Sequence, residues 1–163
     1  MPAIQLKISD LAVVAGYTRF QLRGLLNDVF PEPACGGKKT RSQRTYSPQD
    51  LLVVIVACEL ERRYGVKRSV LASVNVPLRQ ALTGPRKVSR EARLVVTFTP
   101  PSATYLVPEV PVTEGLVLPL GPMFARVDEY LGVAESSRAG GQAVLALSPA
   151  IVTNRRGGNS RAI

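Results

Sequence analysis

Ile8-Ser9-Asp10-Leu11-Ala12-Val13-Val14-Ala15-Gly16, followed by Tyr17 and then Thr18-Arg19-Phe20-Gln21-Leu22-Arg23-Gly24-Leu25-Leu26-Asn27, spells two short helices with a tight break between them. Ser9 is placed to cap the first helix, and Asp10 favours its positive end. Leu11, Ala12 and Ala15 fall on one face. Gly16 supplies the left-handed exit that a helix end needs. Thr18 is placed to cap the second helix. Its inner face reads as Phe20, Leu22, Leu25 and Leu26, and its outer face as Arg19, Gln21 and Arg23. Two short helices across a glycine turn, with cations near the start of the second, form a helix-turn-helix pattern.

Downstream, Val29-Phe30-Pro31-Glu32-Pro33 stops the second helix, because proline lacks the donor and clashes with the preceding turn. Gly36-Gly37 turns the chain into Lys38-Lys39-Thr40-Arg41-Ser42-Gln43-Arg44, which has four cations and no acid. Thr45-Tyr46 has strand character. The segment predicts a two-stranded wing with a cationic tip. A solvated loop is the plainer alternative. Ser47-Pro48-Gln49-Asp50 is the sharpest local signal in the chain. Serine caps, proline suits the first helical position, and the acid three residues after the cap favours a helix start. The helix then runs through Leu51 to Arg63, with Glu59 and Arg63 paired at i,i+4 and Gly65 at its end. A further helix starts at Lys67. Pro77 interrupts it or restarts it through to Leu82, and Thr83-Gly84-Pro85 closes it.

These residues resemble the DNA-binding domain of the MerR family of bacterial regulators. The likeness lies in Ile8-Ser9-Asp10-Leu11-Ala12, in the turn Gly16-Tyr17, in Leu22-Arg23-Gly24-Leu25, and most specifically in Arg44-Thr45-Tyr46-Ser47-Pro48-Gln49-Asp50-Leu51. It covers roughly residues 4 to 75. Gly24 and Leu25 stand where that family carries two aromatics, and its cysteine-rich metal-sensing end is absent. The resemblance implies a winged helix-turn-helix and binding of duplex DNA as a dimer. It places Thr18, Arg19 and Gln21 nearest the bases and Arg23 on phosphate, with Arg44 and Tyr46 anchoring the wing. Lys38, Lys39, Arg41 and Arg44 would hold phosphates or enter the adjacent minor groove.

The second half reads differently. Arg93-Leu94-Val95-Val96-Thr97-Phe98-Thr99 predicts a strand stopped by Pro100-Pro101. Thr104 to Val107 and Gly115 to Leu118 are further strands. A helix follows from Met123 to Leu131, with Phe124, Val127 and Leu131 on one face. That face is expected either to join two copies of the chain or to pack against the first half. The fold class is therefore α+β, a winged helix-turn-helix followed by a small β-rich module with one closing helix. The expected divisions are 1–84 for the DNA-binding domain, 85–133 for the β-rich module and 134–163 for a small, polar, mobile tail.

Charge and composition point the same way. Residues 1–100 hold 16 basic and 7 acidic side chains, whereas 101–163 hold 5 of each, so the whole net charge of +9 lies in the first hundred residues. Such charge attracts polyanions, because bound phosphates release condensed counterions. Solubility alone is the plainer reading. The chain has no histidine and only two cysteines, Cys35 and Cys58, with no Cys-x-x-Cys pair. Those facts argue against a zinc site and remove the commonest general base, so neither an enzyme nor a cofactor is expected. No apolar run is long enough to span a bilayer. The expectation is a cytoplasmic, nucleoid-associated transcriptional regulator, a homodimer on double-stranded DNA with RNA polymerase as a further partner. The alternatives are an excisionase-like DNA-bending recombination factor, and a phage packaging or assembly protein that uses its helices for protein contacts.

Overall fold

A computed structural model describes residues 4–31, 45–85 and 89–139. Among these the chain is α+β, with five helices and a three-stranded antiparallel sheet.

Helix α1 spans Ile8–Ala15. It begins one residue before Ser9, with Lys7 at the cap position, because the Asp10 carboxylate reaches back to accept from the Lys7 backbone N–H at 2.7 Å. Gly16 ends the helix at φ 69, and Tyr17 and Thr18 complete the turn into α2, Arg19–Val29. Thr18 closes a reciprocal cap. Its hydroxyl accepts from Gln21 N–H at 3.2 Å, and Gln21 Oε1 accepts from Thr18 N–H at 3.0 Å. Helix α3, Pro48–Tyr64, starts with the same device, Ser47 Oγ to Asp50 N at 3.1 Å and Ser47 N to Asp50 Oδ2 at 3.0 Å. Gly65 at φ 66 ends it.

The run Leu51 to Cys58 is buried on every side of α3. A helix apolar all round belongs at the centre of a fold, and α1, α4 and α5 surround this one. Helix α4, Arg68–Thr83, continues through Pro77 without a break. Leu71, Val74, Leu78 and Leu82 form one buried stripe on both sides of the proline, and that packing holds the helix together where local propensity would end it.

The sheet has the order β2-β1-β3, from β1 Arg93–Phe98, β2 Pro101–Leu106 and β3 Leu116–Pro119. Pro101 opens β2 instead of lying beyond a strand end. It is the first residue of an edge strand, a position that tolerates proline. Thr99 and Pro100, joined by a cis peptide bond, form the two-residue turn between Phe98 and Pro101. Leu94 and Val96 are fully buried, and the sheet packs against α4.

Helix α5, Gly121–Ala139, runs eight residues past its expected end at Leu131. It returns to the start of the chain. Tyr130 donates to Asp10 Oδ1 at 2.8 Å, and Arg126 donates to the Val14 carbonyl while lying 3.7 Å from Glu59. One buried cluster therefore includes Leu11, Leu22, Ile55 and Leu71 together with Leu94, Leu118 and Val127. The segments expected as separate modules share that core.

Phe124, Val127 and Leu131, expected at a dimer interface, are at most 4% exposed within a single chain. The helical period is right, but the stripe faces α3 and α1, so these side chains leave no surface for a second copy. The tail beyond Ala139 lies outside the described residues.

Candidate functional site

Helix α2 divides cleanly into two faces. Leu22, Leu25, Leu26 and Val29 are buried at spacings of three and four, and they fix the inward direction. Arg19, Gln21 and Arg23 are exposed, as expected. Phe20 is not on the inner face. It is 86% exposed. Two residues before Leu22, it sits roughly 200° around the helix from that side chain. The apolar identity of Phe20 suggested burial, whereas the angular pattern of the four buried residues excludes it.

The outer face is cationic. Arg19 and Arg23 form no ion pair with any described residue, and the one acid of α2, Asp28, is bridged to Arg68 at 3.1 Å. Thr18 is exposed, but both its hydroxyl and its backbone N–H are engaged in the cap. Gln21 Oε1 accepts from Thr18 N and Oγ1, each at 3.0 Å. A glutamine that reads adenine uses its carboxamide oxygen and nitrogen together. In this geometry the oxygen already belongs to the helix start. Gln21 is thus a capping residue first, which leaves Arg19, Phe20, Arg23 and Asn27 as exposed α2 side chains without a hydrogen bond or ion pair to a described residue.

Several contacts hold α2 and the turn before it in place. The Tyr17 hydroxyl donates to Glu61 Oε2 at 2.9 Å, and Arg68 Nε donates to Glu61 Oε1 at 2.6 Å. Arg68 Nη1 also reaches Asp28 Oδ2. The turn, α3, α4 and α2 are thereby tied through two side chains, Glu61 and Arg68. Burial, then the hydrogen bond to Glu61, pushes the Tyr17 phenol well above its ordinary range. The Glu61 carboxylate, followed by Asp28, holds the Arg68 guanidinium protonated more firmly than usual. Asn75 Nδ2 donates to the Val29 carbonyl at 2.7 Å and satisfies an orphan acceptor at the end of α2. Nothing in the local sequence links Tyr17, Glu61 and Arg68, and only their meeting in space reveals the clamp.

Gly24 faces Arg68. A Cβ built there would lie 2.9 Å from Arg68 Nη1. The side chain absent at position 24 is what lets the arginine cross α2.

The chain returns after the expected wing at Tyr46. Its backbone pairs with Leu6 in both directions at 2.9 Å, and its side chain is 7% exposed. Tyr46 is therefore an internal anchor and offers almost no side-chain surface to a partner. Beside it, Arg79 lies over the buried Phe30 ring at 5.3 Å and pairs with Asp50 at 3.1 Å. Lys38, Lys39, Arg41 and Arg44 lie outside the described residues.

Among the described residues no cluster of three or more Cys, Asp or Glu is arranged to hold a metal ion. No helix among them is long and apolar enough to cross a membrane. No family model, curated protein or solved structure matches the chain.

Proposed function

We propose that this chain is a sequence-specific double-stranded DNA-binding protein of the transcription-regulator class. Helix α2 would act as the recognition helix of a winged helix-turn-helix similar to that of the MerR family. The observation that carries the reading is the outer face of α2. It presents Arg19 and Arg23, which pair with no described carboxylate, on a helix that Arg68, itself held by Glu61, ties to α3 and α4. A major groove admits one α-helix, and arginine pairs bidentately with guanine there. Arg19, in the first turn, is the base-reading candidate, and Arg23, one turn later, the phosphate contact. The cationic segment Lys38 to Arg44 follows α2 in sequence and would add phosphate contacts. A dimer, if the regulator forms one, uses a surface other than Phe124, Val127 and Leu131.

Fluorescence anisotropy tests the reading. The purified chain is titrated against duplex from upstream of its own gene and against a scrambled duplex, at two salt concentrations. A preference of about 10³-fold or more is expected for a site-specific binder. Arg23→Ala should weaken both duplexes alike and lower the salt slope by about one. Arg19→Ala should cost ~1–3 kcal/mol on the preferred duplex only. Weak, equal binding to both duplexes by the wild type would refute the proposal.

A further inference from the structure

Phe20 is the most exposed large apolar side chain among the described residues, and the exposed cations Arg19 and Arg23 lie to one side of it on α2. Arg19 precedes it and Arg23 follows one turn later. The only acid of α2 is already paired with Arg68. An exposed ring beside two guanidinium groups that pair with no described carboxylate suits a polyanion that also offers an apolar spot. The major groove of DNA is such a surface, because phosphates line it and the thymine C5-methyl projects into it. An anionic membrane fits less well, since one ring among cations gives little apolar area to insert. Resting on the DNA-binding reading above, we infer that Phe20 is a specificity-determining residue that packs against a thymine methyl, while Arg19 and Arg23 take base edge and phosphate beside it. Gln21, held in the cap, does not share that task.

The ring is outside the core, so Phe20→Ala should leave the melting curve by circular dichroism unchanged. The full chain is first used to select duplexes from a random library. Each thymine of the selected site is then replaced in turn by deoxyuridine, which removes only the methyl. Wild type should lose about four-fold in affinity at one or two positions, the equivalent of one buried methyl. Phe20→Ala should bind the thymine and uracil duplexes equally at those positions. Arg23→Ala should weaken both and keep their ratio. If Phe20→Ala keeps the wild-type ratio everywhere, or wild type ignores every uracil, Phe20 touches no methyl and the inference falls while DNA binding stands. If selection enriches no sequence, the DNA-binding reading itself fails and takes the inference with it. In that case, retention on phosphatidylserine vesicles that Phe20→Ala abolishes would assign the ring to a membrane surface.

Discussion

Gly24 and Arg68 occupy one another's space: a Cβ on the glycine would meet the guanidinium at 2.9 Å, while that guanidinium bridges Asp28 on α2 and Glu61 on α3. A glycine inside a helix normally costs about 1 kcal/mol relative to alanine. Here the clamp offsets that cost. Gly24→Ala should destabilise the wild type by ~0.5–1 kcal/mol by displacing a doubly held arginine, yet stabilise an Arg68→Ala background by a similar amount. Urea unfolding of the four proteins of this cycle measures the coupling. Additive effects would mean that the two residues do not compete for space.

Stability should fall on the alkaline side. Burial pushes the Cys58 thiol up from 9.0 to about 12, and Tyr17 is raised above 10.0. For both groups the folded state holds its proton more tightly than the unfolded chain does. Their contribution is complete below about pH 9 and is lost as pH rises through the folded values. The urea midpoint is therefore expected to decline from about pH 9 upward. Cys58→Ala should flatten the slope between pH 9 and 12, and an unchanged slope would remove the thiol from the account.

Cys58 should also be inert. It is 2% exposed on the central helix, and the thiolate is the reactive form. In a Cys35→Ser variant at pH 8, mass spectrometry should find no alkylation of the native protein by N-ethylmaleimide, and full labelling in urea. Rapid labelling of the native state would place the thiol at the surface.

Phe124→Ala should cost ~3–5 kcal/mol in unfolding free energy, as for other buried phenylalanines. At a protein concentration where the variant remains folded, its mass by light scattering should equal that of the wild type. A change of mass with unchanged stability would restore the face to an interface between copies.

Thr18→Ala should cost about 1 kcal/mol through the lost cap, whereas Phe20→Ala should lie within ~0.5 kcal/mol of wild type. The reversed order in thermal unfolding would put Phe20 back in the core.

Local chemistry made much of the fold legible. The Thr18 and Ser47 caps, the exits at Gly16 and Gly65, and three of the four inward residues of α2 are written in spacings of three to five residues. The strands are legible from their β-branched and aromatic runs, although local sequence makes Pro101 a stop where the edge strand lets it begin β2. Pro77 looks like a break for the same reason. Local sequence reports the missing hydrogen bond, whereas the stripe of four leucine and valine side chains that outweighs it needs its partners in place.

Local sequence dictates where α2 and α3 start and where α1 and α3 stop, and it collects the positive charge in the first hundred residues. Caps, periods and charge are properties of neighbours along the chain. Only packing fixed that Phe20 faces outward, that Arg68 and Glu61 hold α2, and that Phe124, Val127 and Leu131 lie inside one chain. Contacts between residues far apart along the chain carry much of this, as Asp28 meets Arg68 across 40 positions and Asp10 meets Tyr130 across 120. A periodic stripe says that a face must be covered, and only packing says by what.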